Sequence, residues 1–208
     1  MANLILVRHG YSEYNVKGLW TGWDDPDLTQ DGKKEAEKAA KTLRDIPLDC
    51  GYTSPLIRHK ETLEIMKRVL KKTDLPTTVA EALKERNYGI YTAKNKWQIK
   101  QSLGEEEFKK LRRGWDYPIP EGESLKQVYE RAVPYFLSEI LPKLKTEKNI
   151  IVSSSGNVLR SLVKYLESIG DDEIADLEIA PGEVYLYTVD TNGAITDKEI
   201  RNAHPNTV

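Results

Sequence analysis

An arginine and a histidine, Arg8 and His9, followed by Gly10, stand at the exit of the apolar run Leu4-Ile5-Leu6-Val7. A buried strand ending this way delivers both side chains to its carboxyl end, where open α/β sheets bind their ligands. A neutral imidazole with one free nitrogen accepts a phosphoryl group, and a guanidinium beside it can grip the phosphate oxygens in a fork. The pair reads as a phosphohistidine site. Three residues match easily by chance, so the rest of the chain has to agree before the motif counts.

The elements that must position this pair alternate between strand-like and helix-like segments, which predicts an α/β fold with a largely parallel sheet. Residues 3–7 read as the first strand, and a polar loop runs on to Leu28. Thr29 can cap a helix that repeats Ala36, Ala39, Ala40 and Leu43 at helical spacing. Residues 48–53 form a short strand, and Ser54-Pro55 should open a second helix through Leu63, Met66 and Leu70. Residues 77–82 are a weak strand, and residues 84–115 are mixed, with a basic, partly helical end. Ser124 with Gln127 has capping-box form ahead of a helix whose one face carries Leu125, Val128, Ala132, Phe136 and Ile140. Pro134 should kink or split that helix. Residues 150–153 read as another buried strand and 156–166 as the helix after it. Residues 184–189 alternate as a strand, and Asn192-Gly193 signals a hairpin into residues 194–200. With no internal repeat and no low-complexity linker, the expectation is one domain over residues 1–208 with a short tail at 202–208.

Of the 208 residues, 31% are charged and 39% hydrophobic, and the net charge is −2. That balance argues against nucleic acid or a membrane surface as partner, so an anionic ligand must be held by a local cluster of cations. The single cysteine, Cys50, forms no intramolecular disulfide and fits a small core residue. The first apolar run is too short, and lacks the basic flank, for a signal peptide, and no stretch approaches a membrane span. The expected setting is the cytoplasm.

Further motifs follow His9 in order. They are Ser12, Asn15, Thr21-Gly22-Trp23 and Leu28-Thr29, then Thr53-Ser54-Pro55-Leu56-Ile57-Arg58 and Glu85-Arg86-Asn87-Tyr88-Gly89. Asn95-Lys96, Arg112-Arg113, Gly122-Glu123-Ser124-Leu125 and Gly156-Asn157 complete the set. This ordered set resembles the cofactor-dependent phosphoglycerate mutases of the histidine phosphatase superfamily. The resemblance implies a three-layer α/β/α sandwich with its site at the carboxyl ends of the strands. It also implies a phosphohistidine that exchanges its phosphoryl group with phosphoglycerates and so interconverts the 2- and 3-isomers. Small phosphorylated acids would be the substrates, 2,3-bisphosphoglycerate the primer, and no metal would be needed.

Carried over residue by residue, His9 matches the nucleophile, and Arg8 and Arg58 match the arginines that hold the transferring group. Charge spread over phosphoryl oxygens suits fixed donors of that kind. Glu85 matches the general acid–base for the substrate hydroxyl; read alone, it would be a solvated ion-pair partner of its neighbours Lys84 and Arg86. Arg112, Arg113, Lys96 and Tyr88 match the grip on the carboxylate and the non-reacting phosphate. Asn15, Ser12, Thr21 and Gly22 match loop contacts to the same ligand. Gly156 and Asn157 fit an anion cradle at a helix N-terminus. Trp20, Trp23 and Trp115 read as packing.

One departure is large. The family's second catalytic histidine precedes Gly-Asn, and that position is Ser155 here; the other histidines are His59 and His204. A serine hydroxyl is shorter and carries no positive charge. Losing one donor to a transition-state oxyanion costs about a hundred- to a thousandfold in rate. The substitution reads as a change that inactivates the site, as natural divergence, or as a transfer of the role to His59. The last carries least weight, because the neighbouring Arg58 should already point into the site. If only that donor is missing, Ser155→His should raise turnover by about the same factor. Smaller departures are Tyr11, Tyr14 before Asn15, and Thr92-Ala93 in place of a glycine-containing turn. The chain from Trp115 to Gly122 is short where longer mutases carry an insertion for oligomer contacts, which points to a monomer. Beside the mutase stand two other readings: a phosphomonoesterase of the same superfamily and a non-catalytic phosphate-binding protein.

Overall fold

Strand β1 (Ala2–Arg8) sends Leu4 and Leu6 to one face of the sheet and Ile5 and Val7 to the other, and all four are fully buried. A strand buried on both faces needs a helical layer on each side. Helices α2 (Gln30–Lys41) and α3 (Ile57–Val69) cover the second face with Ala39, Ala40, Leu63 and Met66. Helix α1 (Glu13–Val16) is a single turn in the loop between β1 and α2. The first face is covered by helices α6 (Leu125–Tyr135) and α8 (Gly156–Glu167) through Val128, Ala132, Val158 and Leu162. The result is a three-layer α/β/α sandwich. The computed structural model describes residues 1–202, so most of the proposed tail 202–208, with His204, lies outside the described residues. No helix among the described residues is long and apolar enough to cross a membrane.

The sheet has six strands in the order β3-β2-β4-β1-β5-β6, with β2 at Cys50–Thr53, β3 at Thr77–Val79, β4 at Ile150–Ser154, β5 at Val184–Val189 and β6 at Ile195–Arg201. The pairs β3/β2, β2/β4 and β4/β1 are parallel, while β5 and β6 form an antiparallel hairpin on β1. The register sets Arg8 beside Ser154 and Thr53 beside Ser153. His9, Ser54 and Ser155 therefore leave the sheet at one shared edge. Above that edge, α4 (Lys96–Leu103) and α5 (Glu105–Arg113) rest on a separate cluster of Trp20, Tyr88, Phe108, Leu111 and Ile119. This cap carries Lys96, Arg112 and Arg113 over the strand ends.

Three local boundaries differ from expectation. Helix α3 starts at Ile57, because the Ser54 hydroxyl takes the Leu56 N–H at 3.2 Å and holds residues 54–56 as a turn outside the helix. The split expected at Pro134 falls just after it: α6 ends at Tyr135, the chain widens into a π segment at Phe136–Ile140 and resumes as α7 (Leu141–Lys145). The edge strand β3 is shorter than residues 77–82. The Ser124–Gln127 capping box and the Thr29 cap are present as read.

The loop after His9 lies hard against the first turn of α2. A Cβ on Gly32 would sit 2.1 Å from the Tyr11 carbonyl oxygen, and one on Gly10 would sit 2.1 Å from the Gly32 oxygen. Alanine in a helix is ordinarily about 1 kcal/mol better than glycine. At Gly32 the sign reverses, because both backbones must move: Gly32→Ala is expected to destabilise by about 1–3 kcal/mol, read as a lower midpoint in urea unfolding.

Candidate active site

Because β1 pairs with β4 to its last residue, the His9 amide donates to the Ser154 carbonyl at 3.0 Å and the ring is fixed at the sheet edge. Its Nδ1 lies 2.7 Å from the Gly10 carbonyl oxygen. A carbonyl only accepts, so Nδ1 carries the proton and Nε2 keeps its lone pair. Burial, then Arg58 and Arg8, hold the His9 pKa well below the ordinary 6.5. The buried imidazole is thus neutral at working pH, with the lone pair of Nε2 unprotonated.

Arg8 is fixed by a bond from Nη1 to the Ile179 carbonyl, and its guanidinium lies 3.5 Å from where a Cβ on Gly156 would be. Arg58, with no exposed surface, spans to the Gly22 and Asp24 carbonyls at 3.0 and 2.9 Å. In both, Nε is buried without a hydrogen-bond partner, and the same holds for Arg160 Nε. Buried N–H donors are almost always paired. Of the three arginines, Arg8 and Arg160 line one cleft, where their donors can meet an anion.

Glu85 is 8% exposed and held on one oxygen: Oε1 accepts from the Arg86 amide at 2.7 Å and from Asn157 Nδ2 at 3.1 Å. Its carbonyl takes bonds from Trp23 Nε1 and Arg131 Nη2. Oε2 is left for proton transfer. Asn157 also donates to the Tyr88 hydroxyl at 2.9 Å and accepts from Arg160 at 3.0 Å. Its side chain is committed to ordering Glu85 and Tyr88.

The cleft is about 600 Å³, including its open mouth, and is lined by Arg8, Lys96, Arg112, Arg113 and Arg160 against only Glu85 and Glu178. Five cations facing two carboxylates make the local cluster that a chain of net charge −2 needs to hold an anion. Burial, with Arg112 and Arg8 nearby, lowers the Lys96 pKa to about 8. A bound polyanion must raise it again. Calorimetric titration with a small polyanion in buffers of different ionisation enthalpy should therefore show proton uptake on binding above about pH 8. Uptake from this group should vanish below about pH 7, where Lys96 is already charged, and affinity should fall as pH rises past 8.

Asn15, Thr21, Tyr88, Gly156 and Asn157 join Arg8, Lys96, Arg112, Arg113 and Glu85 around the cleft. Two expected ligand contacts, Ser12 and Gly22, do not line it, and the expected catalytic residues His9, Arg58 and Ser155 are buried just outside its lining. Ser12 is fully buried as the cap of α1, bonded to Asn15, and Gly22 turns the chain at φ +53 so that its carbonyl meets Arg58. Both act on the loop. Thr92-Ala93 keeps the tight turn, since Ala93 takes a left-handed φ of +62 that glycine would adopt without strain. Trp23 does more than pack, because it anchors the Glu85 carbonyl. Arg160 and Glu178 were not singled out from sequence. An arginine one helical turn past Gly156, on the same side of the helix as that cradle glycine, was the readable signal for Arg160. Glu178 pairs with Arg113 at 2.5 Å and Arg112 at 3.6 Å from across the fold, a contact that no local spacing announces.

The largest surprise is His59. Its ring is fully buried, stacked on His9 with centroids 5.2 Å apart and planes at 28°. Nδ1 lies 2.6 Å from Ser54 Oγ, and Nε2 is in short contact with Ser155 Oγ. Arg58 does point inward, yet it runs across to the 22–24 loop and leaves the strand ends to His59. The space behind Ser155 is filled by an imidazole from another element.

A three-layer fold with a mostly parallel sheet, carrying a buried histidine and two arginines at its carboxyl edge, defines a phosphoryl-handling class of α/β protein. Residues 4–199 match the histidine phosphatase superfamily (branch 1). A 2,3-bisphosphoglycerate-dependent phosphoglycerate mutase of Parvibaculum lavamentivorans is 41% identical over 97% of this chain and 98% of its own length. The enzyme of that name from Rhizobium meliloti is 39% identical over 95% of this chain and 94% of its own. Among solved structures, Bacillus stearothermophilus YhfR superposes with TM-score 0.84 at 26% identity, covering 99% of this chain and 98% of that one. A mycobacterial glucosyl-3-phosphoglycerate phosphatase shares the fold, with TM-score 0.81 at 20% identity over 98% of this chain and all of that one. The chain belongs to the histidine phosphatase superfamily.

Proposed function

We propose that this protein is a phosphoglycerate mutase that interconverts 3- and 2-phosphoglycerate through a phosphohistidine at His9. The cleft's charge distribution carries the reading. Its cations extend from Arg8 beside His9 out to Lys96, Arg112 and Arg113 on the cap, which suits a small acid with a reacting phosphate at one end and a second anionic group at the other. Curated relatives named as 2,3-bisphosphoglycerate-dependent mutases, aligned over nearly the whole chain, support it.

The residues divide the work. Neutral His9 attacks with Nε2 while Nδ1 stays bonded to Gly10. Arg8 and Arg58 neutralise the equatorial phosphoryl oxygens without reorganisation, since their other bonds to backbone carbonyls already fix them. Glu85 gives a proton to the departing oxygen and takes one from the hydroxyl that receives the group back. Lys96, Arg112 and Arg113 hold the acid's remaining charges while it turns. Arg8 and Arg160 Nε, buried and unpaired beside the cleft, fit a polyanion such as 2,3-bisphosphoglycerate, which when bound supplies the phosphoryl group that primes His9.

The deciding experiment follows 3-phosphoglycerate with and without 2,3-bisphosphoglycerate, measuring 2-phosphoglycerate and inorganic phosphate together. Primer-dependent isomerisation faster than phosphate release is expected. Phosphate release outrunning isomerisation would make the protein a phosphomonoesterase, and ligand binding with neither product would make it a binding protein.

A further inference from the structure

We propose that Ser155 and His59 together replace the second imidazole of the site, Ser155 as the donor to the phosphoryl group and His59 as the residue that orients and polarises it. The inference rests on the reading that His9 receives a phosphoryl group. In this arrangement the Ser54 oxygen accepts from the Leu56 amide and its hydroxyl donates to His59 Nδ1 at 2.6 Å. That leaves the proton of a neutral His59 on Nε2, which donates to Ser155 Oγ. With its oxygen so engaged, the buried Ser155 hydroxyl has a proton and no further acceptor in the structure. Hydrogen bonds running in one direction along such a chain strengthen one another.

Position agrees. Ser155 follows Ser154, whose carbonyl holds the His9 amide, and His59 stacks on the His9 ring. Ser155 is the N-cap of α8 but makes no side-chain cap bond, so its hydroxyl is not spent on the helix. Burial and the cations Arg58 and Arg8, with His9 alongside, keep His59 uncharged. As the ester P–O bond breaks, the His9 Nε2 lone pair forms the N–P bond. The departing oxygen keeps its bonding pair and takes a proton from Glu85. Ser155 lends a hydrogen bond to an equatorial oxygen and gives up no proton, and His59 remains neutral throughout. His59 is thus a positioning residue. The earlier expectation for Ser155→His reverses, because the room for a second ring at 155 is already taken.

Orthovanadate, a mimic of the transferring group, tests the pair without any choice of substrate. Ser155→Ala should weaken vanadate binding about a hundred- to a thousandfold. His59→Ala should do much the same, and the double variant should be no worse than Ser155→Ala, as expected of residues acting as a unit. His59→Gln, whose amide can still donate to Ser155, should recover most of the loss. Ser155→His alone should bind worse than the parent, while H59A/S155H, with the ring moved across, should return toward it. Nitrogen-15 NMR should find the proton on Nε2 of His59 and on Nδ1 of His9. Unchanged vanadate affinity in Ser155→Ala, losses that multiply in the double variant, or a proton on His59 Nδ1 would each overturn the proposal. Phosphohistidine formation from 2,3-bisphosphoglycerate is measured separately. Its absence beside the expected vanadate pattern would unseat the mutase reading and leave the pair standing.

Discussion

His9→Ala is expected to end phosphoryl transfer altogether, with a fall on the order of 10⁵-fold or more, as when an enzyme loses a covalent nucleophile. The other described imidazole does not stand in, because His59 Nε2 is turned onto Ser155, and no second histidine or cysteine lines the cleft among the described residues. Intact-mass measurement after incubation with 2,3-bisphosphoglycerate should show an acid-labile adduct on the parent and none on the variant; an adduct on His9→Ala would displace the nucleophile assignment. The depressed His9 pKa adds a sign. An ordinary histidine loses its lone pair to a proton as pH falls through 6.5, so adduct formation should persist below that pH. Stability runs the other way. His9 and His59 are buried neutral and regain an ordinary pKa on unfolding, so the unfolded chain binds more protons below about 6.5 and the fold weakens as pH drops from there.

How much of this was readable follows from the range of the forces involved. Strand β1 and its exit pair were legible because alternation and burial are local, and the capped helices α2 and α6 because a cap is a contact within four residues. The cluster of Lys96, Arg112 and Arg113 was named from an ordered resemblance, but nothing in the residues said that α4 and α5 would carry all three over one edge. Ser12 and Gly22 were read as ligand contacts and prove to shape the loop, since a serine that caps a one-turn helix looks in sequence like any loop serine. His59 was the sharpest miss. Adjacent residues on a helix face different ways when the helix lies along a sheet. At the first turn of α3, however, one side chain can run sideways to a loop and the next can reach over the strand ends. Only the pairing of β2 with β4 brings Ser54 and Ser155 to either side of that ring.

Glu85→Gln separates proton transfer from positioning. Glutamine keeps an Oε1 able to accept from Arg86 and Asn157, so the loop that Trp23 and Arg131 tie down should stay in place. What disappears is the oxygen that carries a proton. Transfer between His9 and the alkyl hydroxyls of phosphoglycerates should slow by about 10²- to 10⁴-fold, roughly 3–5 kcal/mol in the barrier. An aryl phosphate such as p-nitrophenyl phosphate has a leaving group that needs no proton, so phosphorylation of His9 from it should fall far less. Rapid-quench measurement of both reactions on one preparation reads the ratio directly. Equal losses would mean that Glu85 acts through its negative charge among the surrounding cations, and that the proton comes from elsewhere. A loss confined to the alkyl substrates would place the proton on Glu85, and it would explain why this buried carboxylate is kept among five cations with only one of its oxygens tied to its neighbours.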